Sequence, residues 1–374
     1  MQERALTERL ITYDTSTPEG IQSAAGFVKG WLEARDIEVD EIPHAGAPAL
    51  TATVGAATGP TVVLHGHLDV VPGFPQQFEP RVDGDRLYGR GAYDMKGGLA
   101  AMMCAARDLA DQSAVRVRFL CVPDEEGEDD SNKSTDRLVA EGHTGDFAIT
   151  GEPTDLHIGV QAKGVLAMRL EVCGTAAHGA RPWLGDNAVL KAIGVFRQIE
   201  SMPFARESSE LFDRPSINLG RIVGGDAVNK VPDMCVVDVD VRYLPGQDPE
   251  EILAAVEELR DVTVRKTFRR RPAVVDRSNP FVRTLAAAVA DGMPTERISV
   301  GRDGASDAIS FLDAGVPAVE FGPIGAGHHG PEEWVSISSL AKYRRALSDF
   351  VLALPGWLQR RESGGLTAID GGLA

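Results

Sequence analysis

Between residues 61 and 152, strand-like and helix-like runs alternate. TVVLHGHLD reads as a strand, KGGLAAMMCAARDLA as a helix, VRVRFLCVPDE as a strand, and DFAITGEP as a short strand ending in a turn. Strands alternating with helices imply an α/β layer with a mixed, largely parallel sheet. Ligand sites in such sheets gather at the carboxyl ends of the strands. Each of the three strands ends in His or acidic residues: His67 and Asp69, then Glu125 and Glu126, then Glu152.

The first of these ends is the most unusual. Val62, Val63 and Leu64 suit a covered strand. Alternation of faces then points His65, His67 and Asp69 to one side. That is either a site or a hydrogen-bonded core histidine beside a turn aspartate, and the stretch alone supports both readings. Other clusters tip the balance: GRGAYDMKG (Gly89 to Gly97), PDEEGE (Pro123 to Glu128), GEPT (Gly151 to Thr154) and GHHGPEEW (Gly327 to Trp334). Taken singly each is weak, and paired carboxylates such as Glu125 and Glu126 are commonly a solvated turn. GRGAYD resembles half of a phosphate loop, but the third glycine and a preceding apolar strand are missing. Five such clusters in one α/β layer point instead to a zinc-like divalent ion, which mixed His and carboxylate ligands suit. Because carboxylates bridge, five ligands can hold two ions.

From about Gln161 the pattern changes to strand-helix-strand-strand-helix-strand, a ferredoxin-like α+β order. The α/β style resumes at NPFVRTLAAAVADG. The expected organisation is therefore a discontinuous domain of residues 1–161 and 276–374 with an inserted domain at 162–275. Residues 360–374 carry no core pattern and are expected to be a mobile tail. A chain of 374 residues is long for one core, which fits two domains.

Lys and Arg number 38 against 55 Asp and Glu, a net charge of −17, which argues against nucleic acid or an anionic membrane as partner. The one basic cluster, Arg265 to Pro272, reads as a solvated strand edge. Cys104, Cys121, Cys173 and Cys235 are far apart and form no CxxC pair, so buried free thiols in a reducing compartment are expected. Neither a signal peptide nor a membrane span is legible, and the cytoplasm is the expected location.

The ordered boxes HGHLDVVP, GAYDMKG, PDEEGE, GEPT and HGPEEW resemble the zinc amidohydrolase and exopeptidase family. That family includes acetylornithine deacetylase, succinyl-diaminopimelate desuccinylase, aminoacylase and glutamate carboxypeptidase. The resemblance spans nearly the whole chain. It implies a catalytic domain with an inserted lid that dimerises, and a cis peptide between Asp94 and Met95. It further implies that two zinc ions, replaceable by cobalt or manganese, are held by His67, a bridging Asp94, Glu126, Glu152 and His329. Asp69 would hold the other ring nitrogen of His67, Glu125 would be the free base, and His65 would be structural.

In the inserted domain, GTAAHGARPWLGDNAV resembles the family box whose histidine, here His178, reaches the partner's active site to hold the oxyanion. Asn229, Arg242 and Gly304, the last within GRDGA (Gly301 to Ala305), would face substrate. One departure is plain: many relatives follow the glutamate pair with a glycine-rich turn, whereas this chain has EDDSNKSTDRL. The expected activity is hydrolysis of the amide bond in a small N-acyl amino acid. The alternative is a dipeptidase or glutamate-type carboxypeptidase on the same machinery. A metal-binding relative without catalysis would have lost Glu125 or a ligand, and none is lost. A dinucleotide-dependent oxidoreductase would need the glycine fingerprint that is missing.

Overall fold

The computed structural model describes residues 2–44, 46–112, 114–127, 133–290, 299–304 and 307–362. The central part of the unusual loop (128–132), Ala305 and the tail beyond 362 lie outside the described residues. The chain divides into two units. The first comprises Met1–Val160, Val275–Ser299 and Asp307–Ala374, and the second Gln161–Val274 with Val300–Ser306.

The first unit opens with helices α1 (Gln2–Ile11) and α2 (Pro18–Glu33). Strands β1 (Val39–Ile42), β2 (Ala49–Gly55), β3 (Thr61–His67), β4 (Arg81–Asp83) and β5 (Arg86–Tyr88) follow. Helix α3 (Gly97–Asp108), β6 (Arg116–Val122), α4 (Ser134–Ala140), β7 (Phe147–Thr150) and β8 (Ile158–Ala162) lead to the unit boundary. The second unit holds β9 (Gly164–Cys173), α5 (Ala188–Ser201), β10 (Ser216–Gly224), β11 (Met234–Tyr243), α6 (Pro249–Glu257), β12 (Val262–Arg270) and β13 (Ala273–Val274). The chain then continues through α7 (Pro280–Ala290), β14 (Ser299–Arg302), α8 (Ala308–Asp313), β15 (Ala318–Glu320), β16 (Gly325–Ala326), β17 (Trp334–Ser336) and α9 (Ile337–Glu362). Helix α9 thus runs into the segment expected as a tail.

In the first unit the sheet order is β1-β2-β6-β3-β7-β15-β8. The middle pairings, β6 with β3, β3 with β7 and β7 with β15, are parallel. Those at the two margins are antiparallel, so the sheet is mixed, with its parallel part confined to the centre. All seven residues of β3 are buried, as a parallel strand covered on both faces must be. Its Val63 packs with Leu120, Ala148 and Phe311. Helix α3 is buried from Gly97 to Ala106 and lies against α1 and α9; its small residues allow that crowding. Helix α2 starts where the Thr17 hydroxyl accepts from the Gly20 N–H, with Pro18 in the first turn. A small antiparallel sheet, β16-β17-β5-β4, closes the unit's other side; its strands are too short for the sequence pattern to announce.

The second unit is an antiparallel sheet in the order β10-β11-β9-β12 with α5 and α6, the ferredoxin-like arrangement. Alternating residues of β9 and β11, such as Leu166, Leu170, Val237 and Val241, form its core with Ile199 and Val256. The basic stretch of β12 lies on an edge strand, as expected, and Arg265 pairs with Glu171 at 2.5 Å. Cys104, Cys121 and Cys235 are buried, but Cys173 is exposed at the end of β9, contrary to the reading of all four as buried.

Beyond β15, Gly322 approaches the chain segment that follows β7. A Cβ there would lie 2.1 Å from the Glu152 carbonyl oxygen and 2.7 Å from that of Gly151. These are backbone atoms with nowhere to go. Gly322→Ala is therefore expected to destabilise the protein by about 1–3 kcal/mol, the usual cost of overpacking, as a lowered urea midpoint. An unchanged midpoint would contradict so close an approach.

Candidate metal centre

Three neighbouring strand ends and two loops build the site. In the parallel register His67 stands opposite Val122 of β6, and His65 opposite Thr150 of β7. The residues just past those strands, Glu125, Glu126 and Glu152, are thereby delivered to the place where β3 ends. Asp94 comes from the tight turn Ala92–Lys96 before α3, and the Asp94–Met95 peptide is cis, as the resemblance implied. His329 comes from the link between β16 and β17 and adopts φ +61°, a left-handed conformation that is uncommon outside glycine.

The donors fall into two groups that share Asp94. On one side, His67 Nε2 faces Asp94 Oδ1 at 3.3 Å and Glu152 Oε1 at 3.7 Å. On the other, His329 Nε2 faces Asp94 Oδ2 at 3.4 Å and Glu126 Oε1 at 2.8 Å. Atoms of His67, Asp94 and Glu126 lie within 4.8 Å of one another, near enough to share a cation. His67 Nε2, Asp94 Oδ1 and Glu152 Oε1 are buried, and among the described residues none of them makes a well-formed hydrogen bond. Buried polar atoms normally find partners, and three orphans converging on one place fit the coordination shell of an ion. The set, imidazole nitrogen plus carboxylate oxygen, is the one zinc takes.

Charge leads to the same conclusion. Burial works against a proton on His67, yet the carboxylates of Asp69, Asp94 and Glu152 hold it well above its usual value. Asp94 and Glu126 lift His329 to about 10, against a smaller opposing effect of burial. Burial first, and then the charge of Asp94, push Glu152 well above the carboxylate range. Burial also raises Glu125 to about 8, with Asp307, Glu126 and Asp94 adding to the effect and His67 opposing it. The crowding favours a proton on each of these four groups, whereas the two imidazoles hold Asp94 below the carboxylate range against the effect of burial. A divalent cation relieves the crowding directly and would release those protons.

Asp69 and Glu333 hold this arrangement in place. Asp69 lies against the other ring nitrogen of His67: Nδ1 is 3.0 Å from its backbone carbonyl and 3.4 Å from its carboxylate. The carboxylate also accepts the N–H groups of Glu125 (3.1 Å) and Glu126 (2.7 Å). His65 is buried away from the donors, its Nε2 2.9 Å from the Thr135 hydroxyl and its ring edge-on to Phe311, as expected of a structural residue. The sequence reading missed Glu333. This buried carboxylate accepts the N–H groups of Gly91 (3.0 Å), Tyr93 (3.0 Å) and Asp94 (3.1 Å) and pairs with Arg90 at 2.9 Å. Arg90 also donates to the His329 carbonyl at 3.2 Å. One ion pair therefore ties the Asp94 turn to the His329 loop. Its only signal in the sequence was the second glutamate of HGPEEW, which nothing local distinguishes from the exposed Glu332.

The remaining candidates lie in the second unit. His178 is exposed and pairs by backbone with Lys230, beside Asn229, whose carbonyl accepts the Gly179 N–H at 2.6 Å. These two candidates are thus neighbours. Arg242 lies on β11 with its Nε bonded to Asp240 at 2.9 Å, and Gly304 is exposed with open space around it.

Comparison with known proteins agrees with this geometry. Residues 63–353 match Peptidase family M20/M25/M40. A succinyl-diaminopimelate desuccinylase of Leptothrix cholodnii is 32% identical over 92% of this chain and 97% of its own. One of Gluconacetobacter diazotrophicus is 30% identical over 94% and 96%. Among solved structures, a tripeptidase of Staphylococcus aureus superposes with a TM-score of 0.77 at 20% identity, over 95% of this chain and 98% of the other. An M20 family metallo-carboxypeptidase of Sulfolobus solfataricus gives 0.73 at 18%, over 95% and 99%. The chain belongs to peptidase family M20/M25/M40 and is a hydrolytic enzyme acting on amide bonds.

Glu333→Gln is expected to leave the buried Arg90 without its counter-ion and to break the carboxylate's even grip on three N–H groups. Loss of one member of a buried pair costs about 3–5 kcal/mol, which chemical denaturation would read. A loss below about 1 kcal/mol, the worth of an exposed pair, would show that Glu333 is not the tie described.

Proposed function

We propose that the chain is a di-zinc hydrolase that removes the acyl group from a small N-acyl amino acid, with cobalt or manganese able to replace zinc. The observation that carries this reading is the pair of donor groups sharing Asp94, with Glu125 beside them and outside both. His67, Asp94 and Glu152 would hold one ion, and Asp94, Glu126 and His329 the other. Bound there, the ions supply Lewis acidity, which polarises a carbonyl and lowers the pKa of water from about 15.7 to about 7.

The protein's own groups do the rest. Glu125 takes a proton from water on one carboxylate oxygen and returns it to the leaving nitrogen, a role typically worth about 10²–10⁴-fold. Asp69 keeps Glu125 in reach by binding its N–H. His178 donates to the developing oxyanion, and Asn229, Arg242 and Gly304 contact the amino-acid part of the substrate. Arg242 would meet a carboxylate with the guanidinium nitrogens not turned to Asp240. The residues from 162 to 275 serve as the lid and dimerisation domain. His178 would reach the active site of a second copy. Dimerisation through this domain is supported by β10, an edge strand with exposed Ile222 and Val223, and by exposed Leu190 and Ile193 on α5. Free cysteines support a reducing, cytoplasmic setting, and among the described residues no helix is long and apolar enough to cross a membrane.

The names of the relatives at 30–32% identity favour an N-succinyl substrate over a peptide. Zinc- or cobalt-loaded protein should therefore hydrolyse N-succinyl or N-acetyl amino acids faster than dipeptides in a mixed panel. Cleavage of dipeptides alone would favour the peptidase reading. Glu125→Gln should lower kcat at least about 10²-fold with metal content unchanged, and substantial activity in the metal-loaded variant would remove Glu125 as the base. The placing of His178 has its own test. His178→Ala subunits mixed with Glu125→Gln subunits should recover about a quarter of wild-type activity if sites act independently. No recovery despite proven subunit exchange would mean that His178 does not act across the dimer.

A further inference from the structure

The start of α4 is unusual for a short helix at the edge of a sheet. Its three consecutive polar residues Lys133, Ser134 and Thr135 are 3%, 2% and 1% exposed. Each has a different task. The Ser134 N–H donates to Asp124 Oδ2 at 2.8 Å, and the Thr135 hydroxyl donates to Asp307 at 2.6 Å. Lys133 Nζ donates to the backbone carbonyls of Asp124 (3.0 Å), Glu125 (2.6 Å) and Gly127 (2.7 Å).

By general rules a lysine is misplaced here. A cation is unfavourable at the start of a helix, and an ammonium is costly to bury unless hydrogen bonds replace its water. What compensates is the Asp124–Gly127 turn, whose carbonyls fill the three donor positions of the ammonium. On the opposite side of the same turn, the N–H groups of Glu125 and Glu126 point at the Asp69 carboxylate. The peptide dipoles of the turn thus lie between an anion on their N–H side and a cation on their carbonyl side. Both charges stabilise one orientation of the backbone from which the Glu125 and Glu126 side chains project.

We propose that Lys133 is a positioning residue for amide hydrolysis: its buried ammonium, opposed by Asp69, clamps the Asp124–Gly127 turn and so fixes where Glu125 and Glu126 stand. The inference rests on the roles proposed above for those two glutamates. Lys133 touches neither substrate nor ion; it acts through the turn. Its effect should therefore fall on the donor group that contains Glu126 and not on the one made by His67 and Glu152.

The test is calorimetric titration of zinc alone into metal-free wild type, Lys133→Met and Lys133→Arg, with the two binding steps assigned using Glu126→Gln and Glu152→Gln. Lys133→Met should weaken the step that depends on Glu126 by about 10–100-fold, the usual effect of removing a group that orients a ligand, and leave the other step unchanged. Its kcat on the N-acyl panel should fall by a similar factor with little change in KM, and Lys133→Arg should recover part of both. Two results would overturn the proposal: wild-type zinc binding and kcat in folded Lys133→Met, or equal weakening of both steps, which is what a merely structural loss would give. If Lys133→Met does not fold, Lys133→Gln, which keeps one amide donor, is held to the same two outcomes. Should wild type bind zinc in two steps yet hydrolyse nothing in the panel, the functional reading fails, while the titration still decides the claim about the turn.

Discussion

The structure of the first unit is organised around a repulsion. Asp94, Glu125, Glu126 and Glu152 converge with two imidazoles where β3, β6 and β7 end. Left to themselves, like charges at such distances push the chain apart or take up protons. Three buried devices oppose this, and each grips backbone. Asp69 takes the N–H groups of Glu125 and Glu126, Glu333 takes those around Asp94, and Lys133 takes the carbonyls of the glutamate turn. Arg90 joins the second device to the His329 loop. None of the three devices occupies His67 Nε2, Asp94 Oδ1 or Glu152 Oε1, while His329 Nε2 and Glu126 Oε1 lie 2.8 Å from each other.

That division of labour explains what was legible in the sequence. The donors could be read because each stands at a fixed offset from a strand end or in a short polar box, and strand alternation locates those ends. Alternation and the boxes gave the clusters, and the family resemblance picked His67, Asp94, Glu126, Glu152 and His329 within them; the fold brings those five together. Asp69 was noticed for its place beside His67, but only part of its work was legible: sequence shows a carboxylate two residues from a histidine and cannot show that two N–H groups some fifty-six residues on also donate to it. Glu333 and Lys133 were invisible for the same reason. Most of the partners described for them are main-chain atoms, and main-chain atoms have no signature in the sequence. Charged residues are read as exposed by default, and these two are buried.

The second unit was easier to read as a fold and harder as a site. Its strands alternate cleanly, as in the buried and half-exposed succession along β11, so period and order suffice for the ferredoxin-like arrangement. Strand β10 departs from this, with most of its residues exposed. An edge strand left with apolar residues outward is a liability that proteins usually blunt or cover. The candidate residues there have no comparable convergence to announce them. His178 and Asn229 are joined by one backbone contact, and Arg242 is already engaged by Asp240.

The two donor groups differ in a way that bears on chemistry. His67 is fully buried on a central strand, and the group it forms with Asp94 and Glu152 is set by sheet register. The other group ends in His329, whose side chain is 49% exposed and whose backbone is left-handed. A ligand held at such a torsion stays there only because its surroundings over-determine it, and here the surroundings are the Arg90 bond to its carbonyl and the Glu126 and Asp94 carboxylates. The group with His329 is the more exposed of the two, and Glu125 precedes its Glu126 in sequence. The base proposed above would have to act from a backbone that holds its place, and the Glu125 turn is gripped on its N–H side by Asp69 and on its carbonyl side by Lys133.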